Sequence, residues 1–379
     1  MSHRTILLAT LALSGFVTSF GAHVVATNLP TYAETVGAEA FTIGLLIAVY
    51  DFAELFAKPA AGIVADRRGM KPVLLIGLAV FIVGSLLFLI INPRLLLLVR
   101  FVQGLGAAAL STVSISLVAR YFETDRGRAL GVYNAIKGSG YVIAPAAGGF
   151  LANRYGFAAI FTVSASLALV ALLASVFLPN DSVSQLEDDE EPSLRASLLI
   201  FRDPLLMPIY AVIVINMFLV GILFGFLPVY MHGIGYSAMQ SGTVVSAATA
   251  AYLLIQPVAD VLADRYAMRA TVLLGLLVAA LSIMAITFAS GWLLIVIVIA
   301  AGMGIGTVWT NSDALVSASA SPSQLGASIG AAQSFKEFGD MVGPLLVGAL
   351  TQFYGVRAGF VSCGAVALVL LGILVRKGS

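Results

Sequence analysis

"KPAAGIVADR", residues 58–67, returns as "QPVADVLADR" at 256–265, an offset of 198 residues. The same offset relates "LPTY" at 29–32 to "LPVY" at 227–230, and "GLG" at 104–106 to "GMG" at 302–304. Further along the offset slips to 199: "GRALGVYNAIKGSGYVIAP" at 127–145 pairs with "GASIGAAQSFKEFGDMVGP" at 326–344, and Tyr155-Gly156 with Tyr354-Gly355. Chance does not hold one register over so many segments. The chain is a duplication, and its two halves are the same structural unit.

Composition says what the unit is. Of the 379 residues, 60% are hydrophobic and 10% charged, where a soluble domain carries about a quarter charged. Apolar runs fall at 5–28, 41–64, 73–91, 95–119, 128–151 and 157–178, and again at 205–227, 240–262, 270–289, 292–318, 326–350 and 356–375. Each approaches the roughly 20 residues that a bilayer core requires of a spanning helix. The expected fold is an all-α membrane protein of 12 transmembrane helices in two pseudo-symmetric six-helix bundles, 1–178 and 204–379. Parallel repeats of this kind are a transporter architecture. Residues 179–203 read as a cytoplasmic linker, and "EDDEE" at 187–191, flanked by Ser and Pro, as a solvated run within it. "TILLATLALSGFVTSFGA" after Arg4 has the make-up of a signal peptide. The repeat requires it as a retained first helix.

The basic residues set the orientation. Arg67, Arg68, Lys71, Arg120, Arg126, Arg128, Arg195, Arg202, Arg265 and Arg269 share one side with Arg4, Arg376 and Lys377. The opposite loops hold only Arg94, Arg154 and Arg357. By the positive-inside rule both termini are expected in the cytoplasm, in a multi-pass protein of the cell membrane. Scattered basic residues and a net charge of +1 argue against a nucleic-acid partner. The single cysteine, Cys363, excludes an internal disulfide. No nucleophile–base set, HExxH or phosphate loop points to an enzyme, and no metal or other cofactor is expected.

Three motifs resemble those of the major facilitator superfamily, over essentially the whole chain. "GIVADRRGMK" (62–71) is similar to the signature of the loop after helix 2, with "LADRYAMR" (262–269) its echo in the second half. "RFVQGLGAA" (100–108) resembles a helix 4 motif of proton-coupled members. "GSGYVIAPAAGG" (138–149) resembles the helix 5 motif of the 12-helix drug/proton antiporters, with Ala144 where that motif has Gly. The resemblance implies transport by alternating access. Gly62 and Gly69 would permit a tight turn and close helix approach. Asp66 would cap a helix or pair with Arg67 or Arg120 in a cytoplasmic latch, with Lys71, Asp264 and Arg265 its other members. The alternative is a turn with solvated charges. Gly138, Pro145 and Gly149 in helix 5, and Pro344 in helix 11, would let those helices bend.

Charges inside the spans carry the function. An unpaired charge at the bilayer centre costs about 3 kcal/mol or more, so Asp51, Glu54 and Lys58 need a cavity or a partner. Their spacing puts them on one helix face, and Glu54 and Lys58 can pair as i, i+4. Gln333, Lys336, Glu337 and Asp340 form a second such face in helix 11, whose repeat mate in helix 5 offers Asn134, Lys137 and Tyr141. The mates of the helix 2 charges are the neutral Thr249, Tyr252 and Gln256. In the family that the chain resembles, helices 2 and 11 meet between the halves. Asp51, Glu54, Lys58, Lys137, Lys336, Glu337 and Asp340 are therefore expected to form an ion-pair network that breaks and re-forms as the halves rock. A carboxylate displaced there from its lysine can bind the coupling proton. The alternative is a static salt bridge. Helix 1 lacks the acidic residue that many drug/proton antiporters carry, which moves any coupling site to helix 2.

Helices 1, 4, 7 and 10 line the central cavity in that family, giving His23, Asn28, Arg100, Gln103, Asn216, Trp309, Asn311 and Asp313 as substrate-site candidates. Asp313 lies toward the cytoplasmic end, where water would solvate it. The expected function is a monomeric, proton-coupled exporter of small organic molecules, energised by the proton gradient, its partners being substrate, protons and lipid. Uptake of a polar or charged metabolite, or lipid flipping, is the alternative.

Overall fold

The computed structural model describes residues 3–90, 92–180, 203–321 and 325–376. The linker expected at 179–203 lies outside them except for its ends. Twelve long helices account for nearly all described residues: α1 (His3–Thr35), α2 (Ala40–Arg68), α3 (Met70–Ile90), α4 (Leu96–Tyr121), α5 (Arg126–Tyr155), α6 (Phe157–Val176), α7 (Met207–Gly221, continuing through Ile222–Phe226 to Leu227–Gly233), α8 (Ala238–Tyr266), α9 (Met268–Ile286), α10 (Gly291–Ser319), α11 (Leu325–Tyr354) and α12 (Val356–Arg376). Ten are long and apolar enough to cross a membrane; α5 and α11 are not among them.

Two helices outrun their apolar stretches the furthest. α1 continues past residue 28 through Pro30, and α7 past 227 through Pro228 to Gly233. Polarity rises there, so hydropathy marks an end, but the backbone still needs hydrogen-bond partners and finds them by staying helical. In α7 the widened π turn at Ile222–Phe226 ends two residues before Pro228. A proline removes a donor and crowds the turn below it, and a widened turn makes room.

The repeat is visible in the turns. Gly37 (φ 88°) and Gly235 (φ 94°) end α1 and α7, and Gly156 (φ 82°) and Gly355 (φ 83°) separate α5 from α6 and α11 from α12. Gly69 (φ 91°) makes the α2–α3 turn, but its mate 198 residues on is Ala267, at φ 96°. A side chain in that region costs about 1–2 kcal/mol. Ala267→Gly should therefore raise stability by about 1 kcal/mol after the entropy of the freer unfolded chain is subtracted. A thermal-unfolding midpoint of the purified protein that does not rise would refute it.

The described residues of Met1–Ala38, Leu45–Gln185 and Leu227–Ser246 form one compact unit; those of Glu39–Gly44, Leu186–Phe226 and Ala247–Ser379 form another. In the first, α1 packs on α4, α5 and α6, and α3 on α4 and α6. In the second, α7 packs on α10, α11 and α12, and α9 on α10 and α12, the same plan. Close contacts repeat as well. A Cβ on Gly104 would strike the Tyr50 carbonyl oxygen at 2.6 Å, and one on Gly302 would strike that of Ala248, the repeat mate of Tyr50. Glycine at these points lets α4 approach α2, and α10 approach α8, backbone to backbone. Gly62, expected to serve the same purpose, does not: a Cβ there would meet only the Thr112 methyl at 4.0 Å.

Candidate functional site

In the first unit, polar groups converge from α1, α2, α4 and α5. Glu54 is 8% exposed, and its Oε2 lies 2.6 Å from Lys58 Nζ one turn along α2. This is the i, i+4 pair that the spacing predicted. One turn the other way stands Tyr50. The close approach at Gly104 sets Arg100 of α4 over that ring, with Cζ 4.2 Å from the centroid. Arg100 is 1% exposed. Its Nε donates to the Leu46 carbonyl (3.3 Å) and its Nη1 to Gln103 Oε1 (2.8 Å), while Gln103 Nε2 donates to Ser85 Oγ (3.3 Å). The guanidinium is thus fixed by an aromatic face, a backbone carbonyl and an amide.

His23 of α1 completes the cluster. Its Nδ1 lies 2.9 Å from the Ser19 carbonyl, which only accepts, so Nδ1 carries the proton. The ring meets Tyr141 of α5 edge-on, centroids 4.2 Å apart. Ser19 Oγ donates to the Lys137 carbonyl at 2.6 Å, tying α1 to α5. The charges of Glu54, Arg100 and Lys137 act on His23, and those of Asp51, Glu54 and Arg100 on Tyr50. Asp51, Lys58 and Lys137 are half-buried. Asn28, also buried, donates its amide to the Val24 carbonyl at 2.8 Å.

The second unit holds a different constellation. Lys336 of α11 is 5% exposed, and its Nζ lies 2.6 Å from Asp313 Oδ2 and 4.3 Å from the centre of the Trp309 ring, both of α10. The Trp309 ring stands perpendicular to that of Tyr252 in α8, centroids 5.7 Å apart. Asp313 stays partly open to water, as its place near the helix end suggested, and is also paired with Lys336. Its position one turn beyond Trp309 on the same face of α10 delivers it to Lys336. Glu337 and Asp340 lie half-buried on α11 beside this pair in sequence. Asn311 donates to the Thr307 carbonyl (3.0 Å) and Asn216 of α7 to the Ile305 carbonyl (3.3 Å), so both amides serve helix backbones.

The latch residues are arranged otherwise than expected. Asp66 and Arg67 are exposed, and Asp66 takes part in no ion pair among the described residues. Lys71 instead donates to the Leu178 carbonyl (2.6 Å) and Asn180 Oδ1 (3.2 Å), capping the end of α6. Its repeat mate Arg269 does the same for α12, donating to the Leu374 carbonyl at 2.7 Å. Unpaired carbonyls at helix C-termini favour such cations. Arg120 is half-buried at the end of α4. Asp264 and Arg265 are exposed, with Arg265 over the Tyr266 ring at 5.5 Å. Gly138 is half-buried in α5. Pro145 and Gly149 lie where α5 meets the first turns of α8: Gly149 faces the Ala238 carbonyl, and the Ala146 N–H donates to Ser246 Oγ at 2.9 Å. Pro344 of α11 meets Gly44 and Gly221 in the second unit.

A chain with ten helices long and apolar enough to cross a membrane is a multi-pass membrane protein. It belongs to the Major Facilitator Superfamily, whose family model matches residues 11–251 and again 209–378, and it is a transporter of that superfamily. The Multidrug resistance protein MdtG of Citrobacter koseri is 27% identical over 368 residues, covering 94% of this chain and 91% of that protein. MdtG of Salmonella typhi is 25% identical over the same length. Among solved structures, a bacterial homologue of the human lysosomal transporter Spinster, inward-facing and unoccupied, superposes with a TM-score of 0.84 at 15% identity, over 98% of this chain and 96% of that one. The nucleoside transporter NupG gives 0.83 at 15% identity, over 98% of each. The likeness to these structures is one of fold.

Proposed function

We propose that the protein is a proton-coupled exporter of small organic molecules, working by alternating access of two six-helix bundles. The observation that carries the reading is the pair that buried Glu54 makes with half-buried Lys58 in α2. An ion pair removed from water gains less than its desolvation costs unless geometry and further hydrogen bonds compensate. It is thus a weak way to stabilise a helix and a good way to store a carboxylate that can change partner. Glu54 takes up the proton when it parts from Lys58, and His23, Asp51 and Lys137 set the field in which it does so. On the second side Lys336, Glu337 and Asp340 supply the charges that re-form. The multidrug relatives, at 25–27% identity, support export as the direction. Both termini and the linker lie in the cytoplasm, the protein acts as a monomer, and the proton gradient is its only energy source.

The test is flux in proteoliposomes under an imposed pH gradient, across a panel of neutral, cationic and anionic compounds. At least one compound should accumulate against its gradient and stop when a protonophore collapses the pH difference. Transport that ignores the gradient throughout the panel would end the proton reading.

A further inference from the structure

We infer that Asp313, Trp309 and Tyr252 form a binding site for lipophilic organic cations, and that Lys336 is its built-in occupant. The Lys336 ammonium makes the two contacts that a bound cation makes: an ion pair to a carboxylate, at 2.6 Å, and a seat on an indole face, at 4.3 Å. Trp is the best of the aromatic faces for a cation, and the contact strengthens when water is excluded. Tyr252 adds a second aromatic wall at right angles to the first.

Exposure decides which charge the site takes. The Asp313 side chain is 41% exposed and that of Lys336 6%. An arriving ligand meets the more exposed carboxylate before it meets the ammonium. An anion is repelled there, and a cation is offered both of the lysine's contacts. Ligand entry therefore displaces the ammonium from both of its contacts on α10. All the groups belong to the second compact unit.

This deepens the exporter reading and rests on it only for the direction in which the cation travels. The site is tested by equilibrium binding with no gradient. The full chain with Trp292→Phe keeps Trp309 as its only tryptophan, since the protein has two. Tetraphenylphosphonium should change Trp309 fluorescence saturably, and the isosteric anion tetraphenylborate should not. Lys336→Met empties the seat and should tighten tetraphenylphosphonium about tenfold, the factor for an occupant present nine-tenths of the time. Asp313→Asn should weaken it by a similar factor. The inference is overturned if Lys336→Met leaves the affinity unchanged or lowers it, or if the borate binds as well as the phosphonium. Should Lys336→Met not fold, Lys336→Arg decides: a guanidinium holds carboxylate and indole more firmly, so phosphonium binding should weaken, and an unchanged or higher affinity overturns the inference. Loss of gradient-driven flux with this binding pattern intact would remove proton coupling and leave the site standing.

Discussion

Glu54→Gln should abolish accumulation driven by a pH gradient, by at least about a hundredfold, while counterflow exchange of labelled for unlabelled substrate continues. The amide keeps the shape of the side chain and can still accept a hydrogen bond from Lys58, but it cannot take up a proton. Exchange needs the carrier to reorient with substrate and needs no net proton movement, so it separates a coupling defect from a folding defect. Lys58, with 28% of its side chain exposed, reaches water and tolerates the loss of its partner. The converse substitution is harsher. Lys58→Met leaves the Glu54 carboxylate buried without that counter-charge, which costs about 3–5 kcal/mol, so it should lower the thermal midpoint where Glu54→Gln does not. Normal pumping by Glu54→Gln would make the pair a fixed strut and return the coupling role to the other carboxylates.

Arg100→Leu should lower stability by about 3 kcal/mol or more. The guanidinium serves the Leu46 carbonyl, Gln103 and the Tyr50 ring, all of them buried. Removing it strands the Gln103 amide oxygen at roughly 1–3 kcal/mol and forfeits a desolvated cation–π contact of about 2 kcal/mol. Lysine at position 100 should restore little, since one ammonium cannot reproduce the fork of donors and the stacked plane. The readout is the unfolding midpoint in detergent, together with Gln103→Ala, which should recover part of the loss in the double variant because the stranded amide is gone. A leucine variant that melts with the wild type would show the cluster to be ornamental. These contacts also bear on Arg100 as a substrate-site candidate: in this structure its Nε and Nη1 serve the Leu46 carbonyl and Gln103.

Helix number, repeat register and the Glu54–Lys58 pair were legible because each depends on spacing along one chain. Apolar length, a 198-residue offset and an i, i+4 interval are all readable without packing. The Lys336–Asp313 bond was not, since it joins two helices and depends on how α10 and α11 are rotated about their axes. Spacing points Lys336 toward its own helix and α2, whereas its partner lies 23 residues upstream. The role of Tyr50 depends on packing in the same way. An aromatic residue in an apolar run looks like core until Gly104 is seen to bring a guanidinium onto its face. The pairing of Lys71 and Arg269 with the ends of α6 and α12 was hidden by their place in a charged motif, where a latch was the more obvious reading. α7 outran its apolar stretch because hydropathy follows the side chains, whereas the helix follows its backbone donors.

The two spans too polar to pass a test of length and apolarity, α5 and α11, occupy equivalent places in the two halves. During synthesis a segment partitions from the translocon into lipid according to its own side chains, and Lys137 or the trio Lys336, Glu337 and Asp340 each add a penalty of about 3 kcal/mol per charge near the centre. Neither segment is a good candidate to enter lipid unaided. Each packs against the first helix of its own half, α1 for α5 and α7 for α11, made roughly a hundred residues earlier. The earlier helix must still be waiting at the exit when its late companion emerges. Biogenesis of this protein is accordingly a matter of retention and pairing, half by half, rather than of twelve independent insertions.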